Sequence, residues 1–285
     1  MRTLETFPNL VAMFFARAAE QGNKPFLWAR HGGEWVSTSW ADVASQVRSL
    51  AAGLKALGLN PGDRVMLVAE NRPEWCIADL AIMAAGCVSV PTYTTNTERD
   101  HLHIIENSGA RAVFVSTPKL AKPLIPAVLG SSACKIVIGF EPLRIGQSGA
   151  ISFHQMADLI AGHTPDPVSA DFVRDDLACI IYTSGTGGAP RGVRQHHGML
   201  LMNVAGAAQI IAEDFGWERD ESFLSFLPLS HAYEHPGGQF LPIGLGAQIY
   251  YAEGLDKLAS NIEEVRPSVM IVVPRLFEVL RTRII

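Results

Sequence analysis

The chain has 285 residues, of which 48% are hydrophobic and 18% are charged, a composition that can bury one large core or two smaller ones. A formal charge of -5 and a pI near 6.0 argue against a nucleic-acid surface, because phosphate backbones are bound by clustered Lys and Arg, which are scarce here. We therefore expect no nucleic-acid partner.

The spacing of the cysteines and the length of the apolar runs are evidence about the cellular compartment of the protein. The four cysteines lie far apart and form no CxxC pair: Cys76, Cys87, Cys134 and Cys179. This spacing predicts small buried residues in a reducing, cytoplasmic setting. No apolar run approaches the ~20 residues of a spanning helix, and the N-terminus lacks a small-residue cleavage site. The helical spacing of Leu10, Phe14, Phe15 and Ala18 favours packing on a core, with peripheral membrane contact as the alternative.

The first half of the chain alternates short β-branched runs with helical patterns. Pro73 suits a first helical position, and Gly86 is placed to close that helix. Thr97 with Asp100 predicts a capping box, and Gly109 is placed to end the helix that follows. The predicted strands are 65–69, 87–90, 112–116 and 135–140, with a further helix at 120–129. This βαβαβ order predicts an α/β fold with mainly parallel sheets flanked by helices.

The second half resumes the alternation after a linker. The stretch HTPDPVSADFVRDD, 163–176, cannot continue a helix or a central strand and is predicted to lie on the surface. The further predictions are strands at 177–182, 222–226, 247–251 and 268–273, with helices at 199–212, at 255–265 and from Pro274 onward. Because the last helix stops on Ile284 and Ile285 with no cap, we expect the chain to be truncated.

A glycine-rich stretch, TSGTGGAPRG at 183–192, follows the apolar run 177–182. A strand, a glycine-rich turn and then a helix aim backbone N–H groups and the positive helix end at an anion, so this order predicts phosphate binding. Glycines allow positive φ and close backbone approach, Gly192 among them, while hydroxyls can donate to phosphate and Arg191 adds a permanent charge. A flexible surface turn is the alternative.

The same stretch does not match the two better-known phosphate patterns. Val193 and Arg194 stand where a Walker loop needs Lys and then Ser or Thr. Pro190 occupies the place of the third glycine in the dinucleotide pattern. A P-loop ATPase and an ordinary NAD enzyme are therefore disfavoured.

The residues YTSGTGGAPRGV, 182–193, resemble the signature YTSGTTGxPKGV of the adenylate-forming superfamily, which includes acyl-CoA synthetases, luciferases and peptide-synthetase adenylation domains. Gly187 replaces the usual second threonine and Arg191 the usual lysine, so the loop loses one hydroxyl and its cation changes shape. The resemblance extends to ENRPEW at 70–75, GCVSVPTY at 86–93, HHGML at 196–200, LPLSHAYEH at 227–235 and VVPRLFE at 272–278, the last typical of long-chain acyl-CoA synthetases.

The resemblance implies ATP-dependent activation of a carboxylic acid, a long-chain fatty acid in this branch, through an acyl-adenylate to its coenzyme A thioester. It implies that His231 lines the acyl-adenylate pocket as a catalytic residue, although a purely structural histidine is the alternative. Thr183 would also help to hold Mg²⁺. The implied phosphate ligands are Thr183, Ser184, Gly185, Thr186, Gly188 and Arg191.

The resemblance also implies two packed αβ subdomains of an acyl-CoA synthetase-like N-terminal domain. Residues 1–60 would pack on the second subdomain, 61–210 would form the first and contain the phosphate loop, and 211–285 would form an incomplete second. A YGxTE-like segment and the C-terminal lid domain are absent from the sequence, so the missing C-terminal portion is an expected partner. We expect this chain alone to be inactive; a non-catalytic fragment that binds nucleotide or acyl chains is the alternative.

A second enzyme class is suggested by His231, Glu234 and His235, which spell HxxEH. On a helix this motif gathers two histidines and a glutamate around zinc, as in inverzincin peptidases. The following Pro-Gly-Gly, 236–238, is predicted to break that helix, so a zinc peptidase is the less favoured alternative. Four other histidines are predicted to lie on helix surfaces or in loops: His101, His103, His196 and His197.

Overall fold

A computed structural model describes residues 7–143, 149, 151–168, 171–183, 189–214, 216, 221–274 and 276. The strands are β1 Pro25–His31, β2 Glu34–Ser39, β3 Arg64–Val68, β4 Val88–Pro91, β5 Ala110–Val115, β6 Ile136–Gly139, β7 Ser152–Gln155, β8 Leu177–Thr183, β9 Arg191–His196, β10 Ser222–Ser225 and β11 Gln248–Tyr251. The helices are α1 Leu10–Gln21, α2 Trp40–Ala56, α3 Pro73–Ala84, α4 Glu98–Ser108, α5 Pro118–Gly130, α6 Met156–Ala161, α7 His197–Asp214, α8 Leu241–Leu245 and α9 Leu258–Val265, with a π-helix at His235–Phe240.

The strands form two sheets. The larger has the order β7-β6-β5-β3-β4-β8-β9, and every neighbouring pair is parallel except β8 with β9. The smaller has the order β10-β11-β1-β2, in which only β1 and β2 are antiparallel. The predicted α/β class with mainly parallel, helix-flanked sheets is confirmed.

Both faces of the larger sheet are buried, as expected for parallel strands covered by helices. Along β3, Val65 and Leu67 belong to one apolar cluster, while Met66 and Val68 belong to another on the opposite face. The first cluster also contains Ile249 of β11, so a single core links the two sheets. The N-terminal residues take part in this core and supply β1 and β2 to the smaller sheet.

Local signals set the ends of the helices. Thr97 and Asp100 form the predicted capping box of α4, and Gly109 ends that helix in the left-handed conformation. Pro73 occupies the first turn of α3, where its missing N–H is not needed. These contacts involve residues close in sequence, which is why the sequence pattern predicts them.

Several expectations were wrong or incomplete. The predicted strand at 268–273 is reduced in the structure to an isolated bridge between Phe223 and Val269. No element was predicted at β1, β2 and α2 in the first half of the chain, nor later at β7 and α6. Most of the helix predicted from Pro274 lies outside the described residues. Within the described part of the chain, no helix combines the length and apolar character that crossing a bilayer requires.

Candidate functional site at the carboxyl edge

The candidate site begins where β3, β4 and β8 end side by side. Because these strands are parallel, the segments that follow them leave the larger sheet at the same edge. In open α/β sheets, ligands bind outside the carboxyl ends of the strands. The glycine-rich stretch after Thr183 therefore starts at the edge where a ligand is expected.

The two flanks of the glycine-rich stretch form a hairpin. Thr183 ends β8, Arg191 begins β9, and the two residues face each other across the strands. Thr183 is half-buried and Arg191 is exposed. The structure thus brings together two of the predicted phosphate ligands. The other four lie outside the described residues: Ser184, Gly185, Thr186 and Gly188.

The expected order of strand, loop and helix is wrong in one respect. β9 lies between the glycine-rich stretch and α7, and it runs antiparallel along β8 so that His196 pairs with Leu177. The start of α7 therefore lies at the amino edge of the sheet. Its positive end does not point toward Thr183 and Arg191, so the predicted contribution of this helix end to anion binding is wrong.

Helix α4 contacts both flanks of the hairpin. Tyr182 Oη donates a hydrogen bond to Asn107 Oδ1 at 2.6 Å, and His103 Nε2 lies 3.0 Å from the Pro190 carbonyl oxygen. A Cβ on Gly192 would lie 3.0 Å from the Tyr182 ring. Gly192 has an extended backbone in β9, so it provides space for the ring and does not supply the positive φ that was expected.

The predicted catalytic histidine, His231, lies in the turn after β10. Its backbone N–H donates to the Pro228 carbonyl at 2.8 Å, and its Nδ1 accepts a hydrogen bond from the Tyr233 N–H at 3.1 Å. The exposed ring lies 6.5 Å, centroid to centroid, from Tyr93, which follows β4. His231, in the turn that follows strand β10 of the smaller sheet, thus lies next to the carboxyl edge of the larger sheet. Its catalytic role stays a prediction.

A cleft of about 560 Å³ lies between the two sheets at this edge. Clefts of this size hold small-molecule ligands in other proteins. Segments following β3, β4, β10 and β11 line it, and they include Glu70, Asn71, Thr94, Phe226, Pro228, Ser230 and Glu253. The cleft therefore adjoins the turn that carries His231.

A larger cavity of about 720 Å³ lies at the opposite edge, where Arg64 and Leu177 begin their strands. Its lining contains charged residues of both signs, among them Arg194, Asp175 and Asp176. We assign the site to the smaller cleft, because the carboxyl edge is the ligand-binding edge of such sheets.

Glu234 is a buried carboxyl group next to the cleft. Ser225 Oγ donates to its Oε1 at 2.7 Å, while Oε2 has no hydrogen-bond partner among the described residues. Burial raises the pKa of Glu234 from 4.5 to about 8, although bonds from Ser225 and the Phe226 N–H oppose this rise. A Cβ on Gly238 would lie 2.3 Å from Oε1, so only glycine leaves room for this side chain. Burial therefore favours the protonated, neutral form of Glu234 in the folded chain.

His235 is held by a different buried partner. Its Nε2 lies 2.9 Å from Asp79 Oδ2, which also accepts a hydrogen bond from Gln239 Nε2 at 2.8 Å. Both Asp79 and His235 are completely buried. The three residues tie the π-helix to α3.

The HxxEH motif does not assemble as a zinc peptidase would require. His231 is exposed, whereas Glu234 and His235 are buried and bonded to separate partners. Among the described residues, no group of three or more His, Cys, Asp or Glu side chains is placed to hold a metal. The expectation that 236–238 break the helix was wrong, since they lie inside the π-helix with Pro236 in its first turn.

Two of the other histidines are not on the surface as expected. His101 is buried, and burial lowers its pKa to about 4. His197 is also buried, with its pKa lowered to about 4 by burial. His197 Nδ1 accepts a hydrogen bond from the Leu10 N–H at 3.3 Å, and its ring stacks on Phe172. His197 therefore fixes the start of α1.

Sequence reasoning missed several residues that shape the site. Asn71 and Glu234 lie inside motifs that were noted, ENRPEW and HAYEH, but their partners lie elsewhere in the chain. His103 and Asn107 carried no role, although α4 contacts the hairpin through them. The Pro-Gly-Gly run that begins two residues after Glu234 was an available signal, because glycine often marks a close approach of the backbone to another group.

The family of the chain follows from this fold and site together with comparison to known proteins. A model of the AMP-binding enzyme family matches residues 14–283. The chain belongs to this family.

The relatives are acyl-CoA ligases. A long-chain-fatty-acid–CoA ligase of Mycobacterium tuberculosis is 29% identical over 286 residues, covering 97% of this chain and 45% of the relative. The peroxisomal long chain acyl-CoA synthetase 7 of Arabidopsis thaliana is 32% identical over 253 residues, covering 86% of this chain and 35% of the relative. The chain thus spans less than half the length of these two relatives.

Solved structures share the fold. A benzoate CoA ligase from Burkholderia xenovorans superposes with a TM-score of 0.78 at 26% identity, covering 95% of this chain and 51% of that one. The N-terminal domain of FACL13 from Mycobacterium tuberculosis superposes with a TM-score of 0.78 at 23% identity, covering 96% and 65%. The fold is that of the N-terminal domains of adenylate-forming ligases.

Proposed function

We propose that the chain takes part in the ATP-dependent activation of a carboxylic acid through an acyl-adenylate to its coenzyme A thioester. The observation that carries the proposal is the pairing of Thr183 with Arg191 at the carboxyl edge, on the two sides of the glycine-rich signature. Family membership supports the same reading. The chain spans less than half the length of its long-chain relatives, and we propose that the rest of the reaction uses groups outside these 285 residues.

In this reaction the acid's carboxylate attacks the α-phosphorus of ATP and pyrophosphate leaves, after which the thiol of coenzyme A takes the acyl group. The transition state spreads negative charge over phosphate oxygens, so fixed N–H donors and a cation lower its energy. Arg191 is permanently charged and supplies a planar pair of donors to the leaving phosphates. Its exposure on β9 leaves it accessible to a nucleotide in solution.

Mg²⁺ fits the described residues as an ion delivered with the nucleotide. Magnesium binds through one or two protein oxygens together with substrate phosphates and water. Thr183 offers one half-buried hydroxyl at the end of β8. When bound, the ion would neutralise phosphate charge, while Thr183 would orient it.

The substrate class that we propose is a long-chain fatty acid, because the relatives with matching sequences are named for it. An aryl acid is the competing class, since a structural neighbour is a benzoate CoA ligase. Two inert reaction-intermediate mimics separate them, palmitoyl-sulfamoyl-adenosine and benzoyl-sulfamoyl-adenosine. Tighter binding of the palmitoyl compound is expected, and tighter binding of the benzoyl compound would reject the long-chain assignment. A cytoplasmic location with peripheral membrane contact stays a prediction from the sequence.

Calorimetric titration with ATP and Mg²⁺ tests the phosphate role directly. Arg191→Gln is expected to weaken ATP binding about tenfold, because a charged hydrogen bond to phosphate is lost. Arg194→Gln is the matched control, since Arg194 is exposed on the same strand near its other end, and it should change affinity less than twofold. Equal losses in the two variants would refute the proposed role of Arg191.

Catalysis by the 285-residue chain is a separate question. We propose that the chain alone binds nucleotide without completing turnover, and an acyl-CoA formation assay with palmitate tests this. Measurable product would overturn the proposal of inactivity while supporting the ligase assignment. A chain that binds neither ATP nor pyrophosphate would contradict the proposed nucleotide binding and would favour a regulatory or purely structural role instead.

A further inference from the structure

The segment 225–231 connects β10 to the turn that carries His231, and it borders the cleft through Phe226, Pro228 and Ser230. Pro228 has a fixed φ and no N–H, so its backbone offers only a carbonyl for hydrogen bonding, and the His231 N–H donates to it at 2.8 Å. The segment 225–231 lies at the edge of the larger sheet, and a side chain from that sheet's edge holds it in place.

The side chain of Asn71 binds this segment on both sides of Pro228. Its Nδ2 donates to the Leu227 carbonyl at 2.7 Å, and its Oδ1 accepts a hydrogen bond from the Leu229 N–H at 2.9 Å. The amide thus pairs with the backbone much as a neighbouring strand would. Asn71 follows β3 by three residues, so these bonds connect the two sheets.

A hydroxyl extends the contact to the far end of the turn. Asn71 Nδ2 also donates to Ser225 Oγ at 3.0 Å, and Ser225 Oγ donates to Glu234 Oε1 at 2.7 Å. These hydrogen bonds therefore connect Asn71 to both ends of the turn in which His231 lies. Between those ends, the His235 N–H donates to the His231 carbonyl at 3.0 Å, which holds the backbone at His231.

We propose that Asn71 is a positioning residue of the candidate site: by binding the backbone on both sides of Pro228, it fixes the turn that carries His231 beside the cleft. The inference rests on the proposed function, which supplies the ligand that His231 would contact. It assigns Asn71 no contact with the reacting atoms. Asn71 acts through the conformation of the segment.

Hydrogen exchange of the 285-residue chain tests the positioning without any ligand. Asn71→Asp keeps the size and one acceptor but removes both N–H donors, and amide exchange across 227–235 is expected to rise about tenfold. Asn60→Asp is the matched control, because Asn60 is exposed at the other end of β3, and it should leave these amides unchanged. Ser225→Ala provides a milder second variant, expected to change exchange in the same direction.

A double-mutant cycle tests whether Asn71 acts through His231. Binding of palmitoyl-sulfamoyl-adenosine is measured for the parent chain, for Asn71→Asp, for His231→Ala and for the double variant. Asn71→Asp is expected to weaken binding about tenfold in the parent and less than twofold when His231 is already alanine. Equal losses in both backgrounds would overturn the inference.

The exchange experiment and the double-mutant cycle together distinguish a failure of the inference from a failure of the proposed function. Failure of the parent chain to bind the probe would count against the proposed function, and the exchange experiment alone would then decide the inference. Unchanged exchange at 227–235 in Asn71→Asp overturns it, whereas faster exchange confined to this segment supports it.

Discussion

The buried carboxyl of Glu234 gives the chain a stability that depends on pH. Its pKa in the folded state, about 8, lies above its ordinary value of 4.5 because burial disfavours the charged form. The folded chain therefore keeps a proton that the unfolded chain releases between these two pH values. Stability from this group is fully present below about pH 4.5 and is lost as pH rises through about 8. The loss over the whole window is about 5 kcal/mol.

Glu234→Gln removes this titration while keeping the size of the side chain. The amide oxygen can still accept from Ser225, but the buried NH₂ group adds unsatisfied donors, so the variant should be about 1 kcal/mol less stable near pH 5. Because it does not lose stability by ionising, we expect it to be more stable than the parent above about pH 6. The difference between the two stability curves should change by about 1.4 kcal/mol per pH unit between pH 5.5 and 7.5.

Urea unfolding at fixed ionic strength, measured at half-unit steps from pH 5 to 9, provides these curves. Glu106→Gln is the matched control, since Glu106 is exposed on α4, and its curve should run parallel to that of the parent. Parallel curves for Glu234→Gln and the parent would show that the carboxyl is already ionised in the folded chain. That result would refute the reasoning.

Three other substitutions, with Gly206→Ala as a control, test packing and hydrogen-bond contacts in the described chain. Gly238→Ala places a Cβ 2.3 Å from Glu234 Oε1 and should cost about 2–4 kcal/mol in urea unfolding at pH 6. Gly206→Ala, where nothing lies within 4 Å, should instead stabilise α7 by about 0.5–1 kcal/mol, and a similar loss at both glycines would contradict the steric argument. Asp79→Ala removes the acceptor shared by two buried side chains and should cost about 3–5 kcal/mol in the free energy of unfolding. His197→Ala should increase amide exchange in the first turn of α1, which exchange measurements can compare with α9, where no change is expected.

Much of the fold could be predicted from the sequence because its signals are local. Thr97 and Asp100 cap α4 from within one turn, and Pro73 begins α3 as its position indicated. Buried parallel strands such as β3 and β5 consist largely of short apolar runs, which can be recognised in the sequence without knowledge of the fold. The glycine-rich signature likewise lies in one stretch of chain, so its family could be recognised from twelve consecutive residues, 182–193.

The sequence alone determined the α/β class, the order of most helices and strands from β3 to α9, and the family that the signature indicates. Only the tertiary structure decided that β9 returns antiparallel beside β8, and that Asn71 binds a segment more than 150 residues away. It also decided that Glu234 is buried and that its pKa is raised as a result. The physical reason is that capping, turn and periodicity signals act within a few residues, whereas burial and long-range hydrogen bonds exist only after distant segments pack together.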